Sequence, residues 1–125
     1  MSNTCTIYGI RNCDTMKKAM RWLDQQGIEF ELHDYKKAGI DTDTLVGWLK
    51  SAGPEVLVNR RGTTFRKLSD DEKSICAGSD LHAIAEVLAT NSSAIKRPVL
   101  PLNDQLLVGF KEADWADTFK TSAES

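Results

Sequence analysis

Between Thr6 and His33 the apolar period of the chain switches twice, and this constrains the fold more than any other feature. Thr6 to Ile10 is an apolar run of strand length. Met16, Ala19, Met20 and Leu23 then recur at the spacing of one helix face, with Lys17, Lys18 and Arg21 on the rest of the surface and Gly27 as a stop. Ile28 to His33 alternates strictly, as a half-buried strand does. Strand, helix and strand in so short a span make a βαβ unit, which requires parallel strands and a right-handed crossover.

Helical signals follow. Leu45, Trp48, Leu49 and Ala52 form a stripe that Gly53-Pro54 should end, and Arg60 to Thr64 reads as a loop. Ser69 with Glu72 matches a capping box, and Leu81, Ile84, Ala85 and Leu88 mark another helix opened by Ser79 or Asp80. Pro98 to Leu102 and Gln105 to Val108 then form a hairpin turning at Asn103-Asp104, its first arm shortened by two prolines. Glu112 to Phe119 closes the chain as a helix with Trp115, Ala116 and Phe119 inward, and Thr121 to Ser125 is a polar tail expected to fray. The order β-α-β, helices, β-β-α is that of an α/β, thioredoxin-like fold. Residues 1–125 are expected to form one such domain, with a helical insertion over about residues 40–92 packed as a cap or lobe beside the sheet.

Composition narrows the function. A length of 125 residues with 41% hydrophobic and 27% charged content suits a soluble domain with its own core. A net charge of −2 gives no reason to expect direct nucleic-acid or membrane binding. No stretch approaches membrane-spanning length, and the start lacks the basic-then-apolar pattern of a secretory signal. The three cysteines at 5, 13 and 76 are odd in number and form no Cys-x-x-Cys pair, which argues against a disulfide framework or a zinc site. A reduced, cytoplasmic protein is the expectation. Cys5 reads as a small buried hydrophobe and Cys76 as a helix end.

Cys13 stands apart because it lies at the strand-to-helix junction, between Arg11-Asn12 and Asp14-Thr15. A sulfur there faces unpaired amide N–H groups and the positive end of a helix dipole, both of which favour the nucleophilic thiolate. Lys17, four positions on, would face it one turn away on a continuous helix, or else belongs with Lys18 and Arg21 to a solvated surface. Asn12 and Thr15 offer hydrogen bonds to a sulfur or an anion and serve equally well as turn and cap residues. Arg97, next to Pro98, has a backbone biased to extended geometry that would aim its guanidinium along the sheet end. Arg60 and Arg61 flank Gly62; one of them, Arg61 for preference, is a candidate for the site, and solvent exposure explains both as well. His33 and His82 have no nucleophile to serve as base.

Tyr8-Gly9-Ile10-x-Asn12-Cys13-Asp14-Thr15-x-Lys17-Lys18-Ala19 resembles the signature of the arsenate reductase (ArsC)/Spx family, in its YffB-like branch. Asn59 to Leu68, Lys96-Arg97-Pro98 and Val108-Gly109-Phe110 agree, in order, over residues 5–119. The resemblance implies a catalytic or redox thiol at Cys13, glutathione as reductant or mixed-disulfide partner with no tightly bound cofactor, and glutaredoxin as a further partner. It implies Arg97 as the arginine that stabilises the thiolate, and Pro98 as the cis-proline facing the cysteine.

Two departures limit what carries over. Arsenate reductases of this family use three arginines around the cysteine. Here Arg97 keeps one place, while the others fall on Asn59 and near Val108, so efficient arsenate reduction is not expected. Spx-type regulators carry Cys-x-x-Cys, and here Met16 holds the fourth position and cannot close a disulfide. The expected activity is a glutathione-dependent monothiol oxidoreductase with Cys13 and Arg97 as catalytic groups and Asn12, Thr15, Lys17, Arg61 and Pro98 around the ligand. The alternative is an Spx-like regulator that binds RNA polymerase.

Overall fold

The computed structural model describes residues 5–11, 13–102 and 105–124, with side chains described through residue 119. β1 (Cys5–Gly9) and β2 (Phe30–Asp34) run parallel, with Cys5 opposite Phe30 and Gly9 opposite Asp34, and α1 (Asp14–Gln25) connects them. α2 (Tyr35–Ala38), α3 (Thr42–Ala52), α4 (Pro54–Leu57), α5 (Thr63–Arg66), α6 (Asp70–Cys76), α7 (Leu81–Thr90) and a 3₁₀ turn (Ser92–Ala94) follow. β3 (Val99–Leu102), β4 (Gln105–Val108) and α8 (Glu112–Glu124) complete the chain. The four strands form one mixed sheet in the order β2-β1-β3-β4, which is the thioredoxin-like arrangement the element order implies.

Strand alternation gives the sheet two apolar faces. Ile7, Leu100 and Leu107 meet Met16, Ala19, Trp22 and Leu23 of α1 and Trp115 of α8. Tyr8, Val99, Leu106 and Val108 face the other way, onto the cluster of Leu45, Trp48 and Leu49 of α3 and Ile84 and Leu88 of α7. The helices between β2 and β3 therefore cover one face of the sheet instead of lying beside it.

Several boundaries differ from expectation for local reasons. Gly27 (φ 71°) lets the Ile28 N–H close back on the Leu23 carbonyl at 3.0 Å, a Schellman closure, so Ile28 belongs to the cap that follows α1 and β2 begins at Phe30. Gly53 does end α3, yet Pro54 opens α4, where a first-turn proline loses no intrahelical bond. The capping box of Ser69 and Glu72 opens α6, and the Asp80 carboxylate opens α7. In α1 it is Trp22 that is buried, while Met20 is half-buried, because α8 brings Trp115 and Phe119 to 6.1 and 5.6 Å from the Trp22 ring. Ala116 is exposed, since α8 packs through Trp115 and Phe119. That helix continues through Glu124, past the expected end at Phe119 and into the expected tail, with no glycine or proline to stop it. The turn expected at Asn103-Asp104 lies outside the described residues.

The hairpin register fixes which way its backbone groups point. The Gly109 N–H donates to the Pro98 carbonyl at 2.8 Å. By the alternation of an antiparallel ladder, Leu100↔Leu107 and Leu102↔Gln105 are then the hydrogen-bonded pairs, while Val99↔Val108 and Pro101↔Leu106 are not. Pro101 therefore turns its missing N–H toward β1, in keeping with a β1–β3 register confined to Tyr8↔Val99. Leu106 and Val108 direct their N–H and C=O groups away from β3, to the outer side of the sheet.

Candidate active site at the start of the first helix

The site forms where β1 ends. A Cβ on Gly9 would run into the Met16 thioether and lie 3.3 Å from the Arg97 Cβ, so a glycine here lets α1 and the start of β3 approach β1 closely. Arg11 N–H donates to the Asp34 carboxylate at 3.3 Å, tying the loop before the cysteine to the end of β2.

Cys13 is the N-cap of α1, with extended backbone (φ −140°, ψ 129°) and a carbonyl that accepts the Lys17 N–H at 3.0 Å. The side chain is half-buried and makes no full capping hydrogen bond. Burial alone would raise its pKa, but the Met16 amide, the Arg97 guanidinium and the Thr15 amide together outweigh burial and hold the thiol below its ordinary value of 9.0. Burial pushes Cys5 and Cys76 the other way. Arg97 is half-buried and anchored by Nη1 donating to the Ser93 carbonyl at 3.1 Å, while its buried Nε has no partner among the described residues. The Arg97–Pro98 peptide bond is cis.

Cys13, Thr15 and Arg97 line one cleft of about 610 Å³. Asn59 and Val108 line it as well and carry no charge; the family resemblance would put one arginine at Asn59 and another near Val108. Lys96 and Lys111 add two cations and Glu55 one carboxylate, giving walls with net positive charge that suit an anionic or zwitterionic ligand. Pro98 is buried behind this wall, its carbonyl held by Gly109.

Lys17 is exposed and does not line the cleft, nor is it among the groups that lower the Cys13 pKa. The i, i+4 facing rule holds between two helical residues, and Cys13 precedes the first helical one. Arg61 is exposed outside the cleft lining, and Arg60 donates from Nη2 to the Cys76 carbonyl at 3.2 Å, at the far end of α6. Asn12 lies outside the described residues. Sequence reasoning did not reach Glu55, Val56 or Lys111. Lys96, Gly109 and Phe110 stood in quoted motifs without a role, and Gly109 (φ 75°) makes the turn that brings Phe110 and Lys111 to the cleft.

A sequence model of the ArsC family matches residues 8–118. A solved YffB protein is 44% identical, with a TM-score of 0.83 over 90% of this chain and 96% of that one. A solved arsenate reductase (ArsC) related protein from Brucella melitensis is 49% identical, with a TM-score of 0.69 over 96% of each chain. Among curated relatives, the global transcriptional regulator Spx of Streptococcus pyogenes is 24% identical over 109 residues, 86% of this chain and 78% of that protein.

Proposed function

The chain belongs to the ArsC family, and on that premise we propose that it is a cytoplasmic, glutathione-dependent monothiol oxidoreductase whose nucleophile is Cys13. One observation carries this reading: the Cys13 sulfur sits at the amino end of α1 beside Arg97, in an open cleft, and is favoured as thiolate there. The thiolate attacks the glutathione sulfur of a mixed disulfide. A Cys13–glutathione disulfide forms, the substrate disulfide breaks, and the substrate cysteine leaves as thiolate to be protonated by solvent. A second glutathione thiolate then attacks the adduct, releasing oxidised glutathione and regenerating Cys13. The two electrons gained by the substrate come from glutathione, which acts as co-substrate. Cys5 and Cys76 have raised pKa values and Met16 replaces a nearby second cysteine, so the resolving thiol comes from outside the chain.

Lys96, Arg97 and Lys111 supply charge complementary to glutathione carboxylates, and Glu55 to its ammonium group. Arsenate is a poor substrate on this reading, because Asn59 and Val108 offer no guanidinium to an oxyanion. The test is turnover of a glutathione mixed disulfide. Cys13→Ser is expected to lower it by at least about a thousandfold, while Cys5→Ser and Cys76→Ser keep most of it. Full activity in Cys13→Ser would refute the proposal. The second reading, a regulator that binds RNA polymerase, is favoured by the Spx relative. It predicts capture of purified polymerase by the Cys13→Ser variant as well as by the parent, and absence of capture at micromolar concentration removes it.

A further inference from the structure

A second groove opens directly off the Cys13 cleft. It measures about 230 Å³, and it shares Val56, Val108, Gly109 and Lys111 with that cleft. Its floor is the consecutive run Leu106, Leu107, Val108 and Gly109. Residues that alternate between the two faces of a sheet line a single groove only when the groove lies along the edge of the strand. β4 is that edge, with no strand beyond it among the described residues. From the ladder geometry, Leu106 and Val108 present their N–H and C=O groups to this side. On one flank stands Val56 of α4, 45% exposed and one of two large apolar side chains so exposed among the described residues. The other flank is Asp114 and Trp115 of α8.

We propose that this groove docks an extended polypeptide segment of a substrate protein as a fifth strand on β4, delivering a glutathionylated cysteine of that segment to Cys13. Alternating donors and acceptors on Leu106 and Val108 match the backbone of an extended chain. Val56 supplies an apolar contact for one face of the added strand. The added strand would lie three strand spacings from β1, about 14 Å, so roughly four extended residues beyond the paired ones carry the cysteine across the sheet end. With two residues offering outward groups, pairing is short and readily reversed, as a substrate requires. The continuity with the Cys13 cleft argues for this occupant over a second copy of the chain, which would cover the edge without bringing a sulfur to the thiolate.

The docking rests on the Cys13 chemistry proposed above for its purpose but is read by binding. The probe is a Thr/Val-rich synthetic peptide with one S-glutathionyl cysteine placed about four residues beyond its β-forming arm, titrated against the Cys13→Ser chain. N-methylation of alternate arm amides is expected to weaken binding about tenfold in one phase and hardly at all in the other, because only one set of amides faces β4. Leu106→Pro, which removes an outward N–H and no ladder bond to β3, is expected to weaken it by a similar factor and to leave turnover of a small glutathione mixed disulfide within about twofold. Equal effects of the two methylation phases overturn the inference even if Leu106→Pro fails to fold. So does a dimer in solution that Leu106→Pro dissociates. Loss of small-disulfide turnover in the parent chain would instead refute the oxidoreductase reading, with the peptide titration still deciding the docking.

Discussion

Cys13 and Cys76 carry the same thiol at opposite ends of two helices. Cys13 precedes the first turn of α1, and Cys76 closes the last turn of α6. Each has an arginine at hand, Arg97 for the first and Arg60 for the second. Their pKa values nevertheless move apart. At Cys76 burial dominates and raises the pKa, Arg60 opposes it, and the Glu72 carboxylate adds to it. At Cys13 burial is opposed by two backbone amides as well as by a guanidinium, and the pKa falls. A neighbouring cation is therefore not enough to ready a thiol. At Cys13 the amide donors of a helix start act together with the guanidinium, and they cost no side-chain ordering.

The most direct way to break the comparison is alkylation of each thiol against pH. At neutral pH, Cys13 should react with iodoacetamide at least about a hundredfold faster than Cys76, through both ionisation and access. As pH falls from 9.0, Cys13 should keep its reactivity until its lowered pKa is passed, whereas Cys5 and Cys76 should gain theirs only above 9.0. The linked stabilities have opposite signs. The contribution of Cys13 is present above 9.0 and lost as pH falls through its folded value, while that of Cys76 is present below 9.0 and lost as pH rises. Equal pH profiles for the two thiols would remove the basis for the proposed chemistry.

Arg97→Met sharpens the division between amides and guanidinium. It should slow Cys13 alkylation at neutral pH about tenfold and move the profile toward higher pH, with Arg97→Lys in between. An unchanged profile would leave the amides as the whole cause. On stability the two cysteines trade places. Cys76→Ser puts a hydroxyl into the α3–α7 cluster and should cost about 1–2 kcal/mol in urea unfolding, whereas Cys13→Ser should cost less than about 0.5 kcal/mol. At the other end of α6, Ser69→Ala removes the capping box and should cost about 1 kcal/mol or less, with little change in turnover.

Features whose cause lies within a few residues were legible before any coordinates. The βαβ unit, the stop at Gly27, the capping box at Ser69 and Glu72 and the placement of Cys13 at a strand-to-helix junction are all of this kind. The misread features need a partner from elsewhere. Trp22 is buried because α8 brings an aromatic cluster to it. Glu55 and Val56 follow the stop at Gly53-Pro54 in the chain, and α4 carries them to the cleft wall.

What the sequence determined by itself is the order of the elements and the placement of Cys13 at the start of α1, since period, caps and a junction cysteine are encoded by near neighbours in the chain. What the tertiary structure alone decided is the company that sulfur keeps. Arg97 and Lys96 before β3, Gly109 and Lys111 after β4, and Glu55 and Val56 on α4 converge only because the β2-β1-β3-β4 sheet brings the end of β1, the start of β3 and the end of β4 to one edge of the fold. Packing of two apolar sheet faces sets that convergence, and packing is a property of segments far apart in the chain.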